Sequence, residues 1–227
     1  DELIYYMFSD RHRQKPDPDR RYDRIYIGGD YGQQNATTFE AFGLDTYRKK
    51  FPGLGEYYHS GRESGRQKSP SEYARDLVEF MDGLHEQYEN RIFYIFLDPS
   101  AKGLAEEVRR ATRTGLDYQV FLRDAENDVA FGISRVQKAL VFDIMSISPK
   151  QEYAVQEFGT YEYDKKSIEK GKEVPVKEAD HCMDAIRYVV MGAWSKIKHW
   201  LPLDIVEDDV NIGDISSREV REEDEYL

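Results

Sequence analysis

Arg91-Ile92-Phe93-Tyr94-Ile95-Phe96-Leu97, followed at once by Asp98-Pro99-Ser100, is the stretch of this 227-residue chain that decides its fold. A near-continuous apolar run of this length, closed by a charge and a proline, reads as a buried strand in the middle of a sheet. Downstream the pattern alternates. Residues 101–112 read as helix, 118–122 as strand, 128–140 as helix, 141–144 as strand and 149–160 as helix, with Val155 and Phe158 on the apolar side of the last. Upstream lie three strand-like runs: 24–29, which ends in Gly28-Gly29-Asp30-Tyr31-Gly32; 37–45; and 49–60, interrupted by Pro52-Gly53. Three strands followed by alternating helices and strands predict an α/β domain with a mixed central sheet.

The remaining segments fit around that sheet. Residues 61–69 form a polar loop, after which Ser69-Pro70-Ser71-Glu72 opens a helix. Ser69 suits the N-cap, Pro70 the first turn, and Glu72 completes a capping box. Tyr73, Leu77, Phe80, Met81 and Leu84 then recur at helical spacing. Residues 161–176 predict a β-hairpin around Glu169-Lys170-Gly171-Lys172. Residues 180–197 predict a closing helix with Met183, Ile186, Val190, Met191 and Trp194 as its buried stripe. Residues 1–24 read either as an irregular charged linker from a preceding domain or as a disordered end, 25–200 as the folded domain, and 201–227 as an acidic flexible tail.

Composition removes several classes of function. The single cysteine, Cys182, rules out a disulfide framework and a cysteine-based zinc site. No run approaches the length of a membrane span. No G-x-x-x-x-G-K-[ST] sequence occurs, because the Gly, Lys and Ser of residues 61–69 are wrongly spaced; ATP hydrolysis is not expected. No Ser-His-Asp or Cys-His arrangement stands out. The net charge of −12 argues at first against a nucleic-acid partner. However, residues 204–227 hold ten acidic and two basic residues, which leaves only −4 for the rest.

Three aspartates carry the chemistry. Asp30 follows an apolar strand among Gly28, Gly29 and Gly32; it is either a turn aspartate or a carboxylate that a phosphate can approach closely. Asp98 ends the most apolar strand; it is either a helix cap or a ligand at the carboxyl end of a central strand. Asp180-His181-Cys182-Met183-Asp184 opens the last helix. Asp180 and Asp184 are four residues apart and share a face, His181 lies beside them, and Asp180 also suits the N-cap. Carboxylates from two strands and one helix suit two hard cations, Mg²⁺ or Mn²⁺, which can activate water and stabilise a leaving oxygen in phosphodiester cleavage. Asp30, Asp98 and Asp184 are the expected metal ligands, with Asp180 and His181 supporting. Lys165, Lys166, Lys170, Lys172 and Lys177, and more weakly Arg62 and Arg66, are candidates for phosphate contact; a solvated charged loop is the other reading of the lysines.

These motifs also carry a family resemblance. Ile27-Gly28-Gly29-Asp30-Tyr31-Gly32 with Ala36-Thr37-Thr38, Phe96-Leu97-Asp98-Pro99-Ser100-Ala101, Glu126-Asn127-Asp128 with Gly132-Ile133, and Asp180-His181-Cys182-Met183-Asp184-Ala185-Ile186-Arg187-Tyr188 occur in that order. Together, over roughly residues 24–195, they resemble the C-terminal nuclease domain of the large terminase subunit of tailed bacteriophages. The resemblance implies an RNase H-like fold and two-metal endonucleolytic cleavage of concatemeric double-stranded viral DNA during packaging, with little sequence specificity. It implies as partners an N-terminal packaging ATPase domain, a small terminase subunit and a portal, in the cytoplasm of an infected bacterium at the procapsid. A junction resolvase and a non-catalytic portal- or capsid-docking module are the alternatives.

Overall fold

A computed structural model describes residues 3–32 and 35–207. Its centre is a six-stranded mixed sheet of order β5-β4-β1-β2-β3-β6. The strands are β1 (Arg24–Tyr31), β2 (Ala36–Leu44), β3 (Phe51–Ser60), β4 (Ile92–Leu97), β5 (Gln119–Asp124) and β6 (Met145–Ser146). β1, β2 and β3 form an antiparallel meander, whereas β4 runs parallel to β1, and β5 to β4. The helices are α1 (Gly61–Ser64), α2 (Pro70–Tyr88), α3 (Lys102–Ala111), α4 (Val129–Val141), α5 (Glu152–Phe158), α6 (Lys165–Ile168), α7 (His181–Ile197) and α8 (Leu203–Glu207). This is the expected α/β, RNase H-like architecture.

Strand periodicity divides the core into two layers. Side chains alternate across a sheet. Ile25 and Ile27 of β1, and Phe93, Ile95 and Leu97 of β4, pack with Leu77, Met81 and Leu104 under α2 and α3. Tyr26 and Phe96 point the other way, to Val136 of α4 and Ile186, Val190 and Trp194 of α7. Extended by two or four residues, the same alternation puts Gly28, Asp30 and Asp98 on the α7 face. Burying each large aliphatic side chain stabilises the fold by about 1.5–3 kcal/mol. The expected cap of α2 is present: Ser69 Oγ accepts from Glu72 N, and the Glu72 carboxylate accepts from Ser69 N at 2.8 Å.

Several segments depart from the reading of the sequence. Residues 3–24 are not merely irregular. Ile4 and Tyr5 are buried, Ile4 N donates to Tyr161 O, and a 3-10 turn at Asp10–His12 buries His12. The apolar run Leu3–Phe8 supplies this packing, and the flanking charges obscured it. Residues 141–144 are not a strand: α4 runs on to Val141, and Asp143 turns with φ 51° into the two-residue β6. The 161–176 segment does fold back on itself, with a Tyr163–Pro175 antiparallel bridge, but its tip is the helical turn α6 in place of a tight turn. Asp164 caps that turn by accepting from Ser167 N at 2.8 Å. The expected tail of residues 201–227 begins inside the fold: α8 spans Leu203–Glu207, and Leu201 and Ile205 are buried, while residues 208–227 lie outside the described residues. Among the described residues, no helix is long and apolar enough to cross a membrane.

Candidate active site

Two neighbouring parallel strands and one helix bring the three aspartates together. Gly29 of β1 pairs with Leu97 of β4, so Asp30 and Asp98 follow side by side at the carboxyl ends of these strands. α7 reaches the sheet through Gly28. A Cβ there would stand 2.0 Å from Ala185 O and 2.6 Å from Val189 Cγ2, so only glycine allows this approach. Ala185 adjoins Asp184, which therefore lands beside Asp30. The Tyr188 ring marks the centre: its hydroxyl lies 3.2 Å from Asp98 Oδ2, and Asp184, Asp30 and Asp98 all act on its ionisation.

Each carboxylate has distinct partners. His181 Nδ1 lies 2.7 Å from Asp30 Oδ2. Burial pushes the Asp30 carboxyl up, against the pull of His181. The bond to Asp30 raises the His181 imidazole despite its own burial. Asp98 Oδ1 accepts from Ser100 N at 2.7 Å, and its Oδ2 from Asn127 Nδ2 and the Tyr188 hydroxyl at 3.2 Å each. Burial would raise Asp98, but these bonds hold it below the usual carboxylate range. It makes a turn and does not cap α3, whose N-cap is Ala101. Asp184 Oδ1 accepts from Arg187 Nη2 at 2.6 Å, while Lys177 Nζ stands 3.7 Å from its Oδ2. Arg187 is 2% exposed and also donates to Asn127 O at 3.2 Å. Gly132 makes room for it, since a Cβ there would meet Arg187 Cγ at 2.2 Å. Burial and the nearby Asp184 raise Asp180.

The structure thus brings Asp30, Asp98, Asp180, His181 and Asp184 to one end of the sheet. Of the candidate phosphate-contacting lysines, Lys177 belongs to this acidic cluster, 3.6 Å from Asp180 Oδ2. Lys165, Lys166, Lys170 and Lys172 are exposed on and after α6. Arg66 is committed to Glu72 at the start of α2. Arg62 is exposed in α1, which follows the end of β3 that pairs with the start of β2. Four further contributors were not singled out from the sequence as site residues: Asn127, Arg187, Tyr188 and Glu157. Arg187 and Tyr188 had a signal, lying three and four residues after Asp184 on one helix. Glu157 had none, because the amides its carboxylate accepts from, at Cys182 and Met183, are distant in sequence.

A second acidic group lies beneath α7. Among the described residues, Glu40, Glu56 and Cys182 form the one set of three whose ligand atoms all lie within 4.8 Å of one another, a span that Asp30, Asp98 and Asp184 exceed. Its donors already have partners. Glu40 accepts from Thr38 Oγ1 and Gln151 Nε2, and Glu56 from Tyr153 N and Ala154 N at the start of α5. Burial, reinforced by the neighbouring Glu56, raises Glu40 well above the usual range, and burial likewise pushes the Cys182 thiol up. The group is a buried, hydrogen-bonded acidic cluster in the core.

Sheet order, helix placement and the acidic strand ends together define an RNase H-like nuclease fold. The chain superposes on the large terminase of a thermophilic bacteriophage, solved in complex with ADP, with a TM-score of 0.71 and 32% identity, over 83% of this chain and 44% of that one. It superposes on the nuclease domain of the P22 large terminase with a TM-score of 0.64 and 14% identity, over 84% and 92% of the two chains. It also superposes on the large terminase nuclease of the thermophilic phage G20c, solved with bound magnesium, with a TM-score of 0.53 and 16% identity, over 83% and 96%. No family sequence model and no curated protein sequence matches the chain. The chain has the fold of the nuclease domain of a large terminase subunit, and spans less than half the length of the ADP-bound terminase.

Proposed function

We propose that this chain is a metal-dependent endonuclease domain that cuts double-stranded viral DNA during genome packaging. The observation that carries this reading is the convergence of Asp30, Asp98 and Asp184 from β1, β4 and α7 at the carboxyl ends of two parallel strands. The donor set fits hard divalent cations. It is built of carboxylate oxygens with one imidazole beside them, and it includes a buried oxygen, Asp180 Oδ2, that has no hydrogen-bond partner. The magnesium-bound G20c nuclease supports the same assignment by likeness of fold.

Asp30, Asp98 and Asp184 would hold the metals, with Asp180 beside them. Two bound Mg²⁺ or Mn²⁺ ions supply an activated water and stabilisation of the leaving oxygen. The protein's own groups orient that set. His181 fixes Asp30, Asn127 and Tyr188 fix Asp98, and Arg187 fixes one oxygen of Asp184 so that the other faces the cluster. Lys177 partly balances the charge of Asp180 and Asp184. The exposed lysines around α6 guide the phosphate backbone toward this end. In the whole protein a packaging ATPase domain, a small terminase subunit and a portal would be its partners, in the host cytoplasm, and residues 1–24 would lead in from the ATPase domain.

The test is plasmid cleavage by the 227-residue chain with Mg²⁺, Mn²⁺ or EDTA. Weak nicking favoured by Mn²⁺ and abolished by EDTA is expected, because this chain alone lacks the partners that position DNA. Cleavage that persists in EDTA would overturn the reading.

A further inference from the structure

α7 starts without a side-chain cap from its own N-cap residue. Asp180 occupies the N-cap position, yet its backbone (φ −119°, ψ 9°) is not the extended one of an ordinary cap, and its side chain accepts no bond from the first turn. Ala179 before it is left-handed, with φ 49°. The opening N–H groups of a helix still need acceptors. Cys182 N and Met183 N find one in Glu157 Oε2, at 2.8 and 3.1 Å. Glu157 stands in the last turn of α5 and is 6% exposed. The start of α5 is held in turn by Glu56 of β3, which accepts from Tyr153 N and Ala154 N at 3.0 and 2.8 Å. Meanwhile Asp180 Oδ2 is buried with no hydrogen-bond partner and faces the Lys177 ammonium at 3.6 Å.

We infer that Glu157 is a positioning residue of the acidic site: it caps α7 from α5 and so leaves the Asp180 carboxylate to the cation site. This rests on reading that site as a metal centre. An aspartate that capped its own helix would turn its oxygens toward N–H groups two and three residues on, away from Asp184 and Lys177. With the cap supplied from another element, Asp180 and Asp184, one turn apart, present their carboxylates together. Both cap bonds end on one oxygen, so a glutamine can reproduce them and an alanine cannot.

The experiment compares Glu157→Gln, Glu157→Ala, Asp180→Asn and the Glu157→Ala/Asp180→Asn pair in the 227-residue chain. Amide hydrogen exchange at Cys182 and Met183 is read without metal, and Mn²⁺ affinity by calorimetry. Glu157→Ala is expected to speed exchange at both amides and to weaken Mn²⁺ binding about 10-fold or more. Glu157→Gln is expected to keep both near wild type, and the pair to bind Mn²⁺ no more weakly than Asp180→Asn alone. Unchanged exchange in Glu157→Ala, loss of protection in Glu157→Gln, or affinity losses that multiply in the pair would each overturn the inference. A wild-type chain that takes up no Mn²⁺ would instead overturn the metal-centre reading, and the exchange measurement would still decide the cap.

Discussion

At the residue scale the site depends as much on what is missing as on what is present. Gly28 has no Cβ where one would strike the Ala185 carbonyl at 2.0 Å, and that gap seats Asp184 next to Asp30. Neither partner is a flexible side-chain end, so Gly28→Ala is expected to push α7 off the sheet. The predicted cost is about 3 kcal/mol, the upper part of the overpacking range, read as a lower urea midpoint with an unchanged slope. A midpoint equal to wild type would show that α7 does not depend on this contact. The glycines around Asp30 were visible in the sequence and suggested close approach, but to a phosphate; at Gly28 the body that approaches is a helix backbone. Asp180 was equally ambiguous. Its sequence position suits an N-cap, and only the distant Glu157 shows that the cap is filled from elsewhere.

At the scale of elements, periodicity made most of the fold legible. The apolar run at β4, the capping box of α2 and the stripe of α7 each declare themselves locally. Elements that draw their stability from other parts of the chain did not. The N-terminal segment is held by Ile4 and Tyr5 in the core and by His12, whose Nε2 lies 2.9 Å from Leu140 O while its Nδ1 accepts from Ser9 N at 3.1 Å. Burial keeps this imidazole below the usual histidine value, in spite of Asp143 nearby. The folded state therefore binds fewer protons than the unfolded state just below about pH 6.5, and stability falls as pH drops through that value. His12→Ala is expected to cost about 2 kcal/mol at pH 8, since it leaves Leu140 O without this partner and opens a cavity. It should also remove this part of the acid sensitivity. Thermal melting of both proteins between pH 5 and 8 checks this, and parallel curves with no offset would contradict it.

Across the whole molecule, the acidic and the basic side chains gather on separate segments. Aspartates gather where β1, β4 and α7 meet, and the lysines of residues 165–172 stand exposed on the segment that leads into α7. The sequence displays both groups but not their geometry, because β1 and α7 lie about 150 positions apart and only folding joins them. Four phosphate contacts from Lys165, Lys166, Lys170 and Lys172 would make log K for duplex DNA depend on log salt with a slope near −3.6 from these residues alone, about −0.9 per contact. Replacing all four with glutamine is expected to reduce the measured slope by about 3.6, and an unchanged slope would place the DNA elsewhere. The central claim is that Asp30, Asp98 and Asp184 together hold the metal. It is tested most directly by Mn²⁺ calorimetry on the wild-type chain and on Asp30→Asn, Asp98→Asn and Asp184→Asn, each first shown to be folded. Each substitution is predicted to weaken binding by about 100-fold or to abolish it, more than the loss of an outer hydrogen-bonding partner would. Wild-type affinity and stoichiometry in any one of the three would contradict the account.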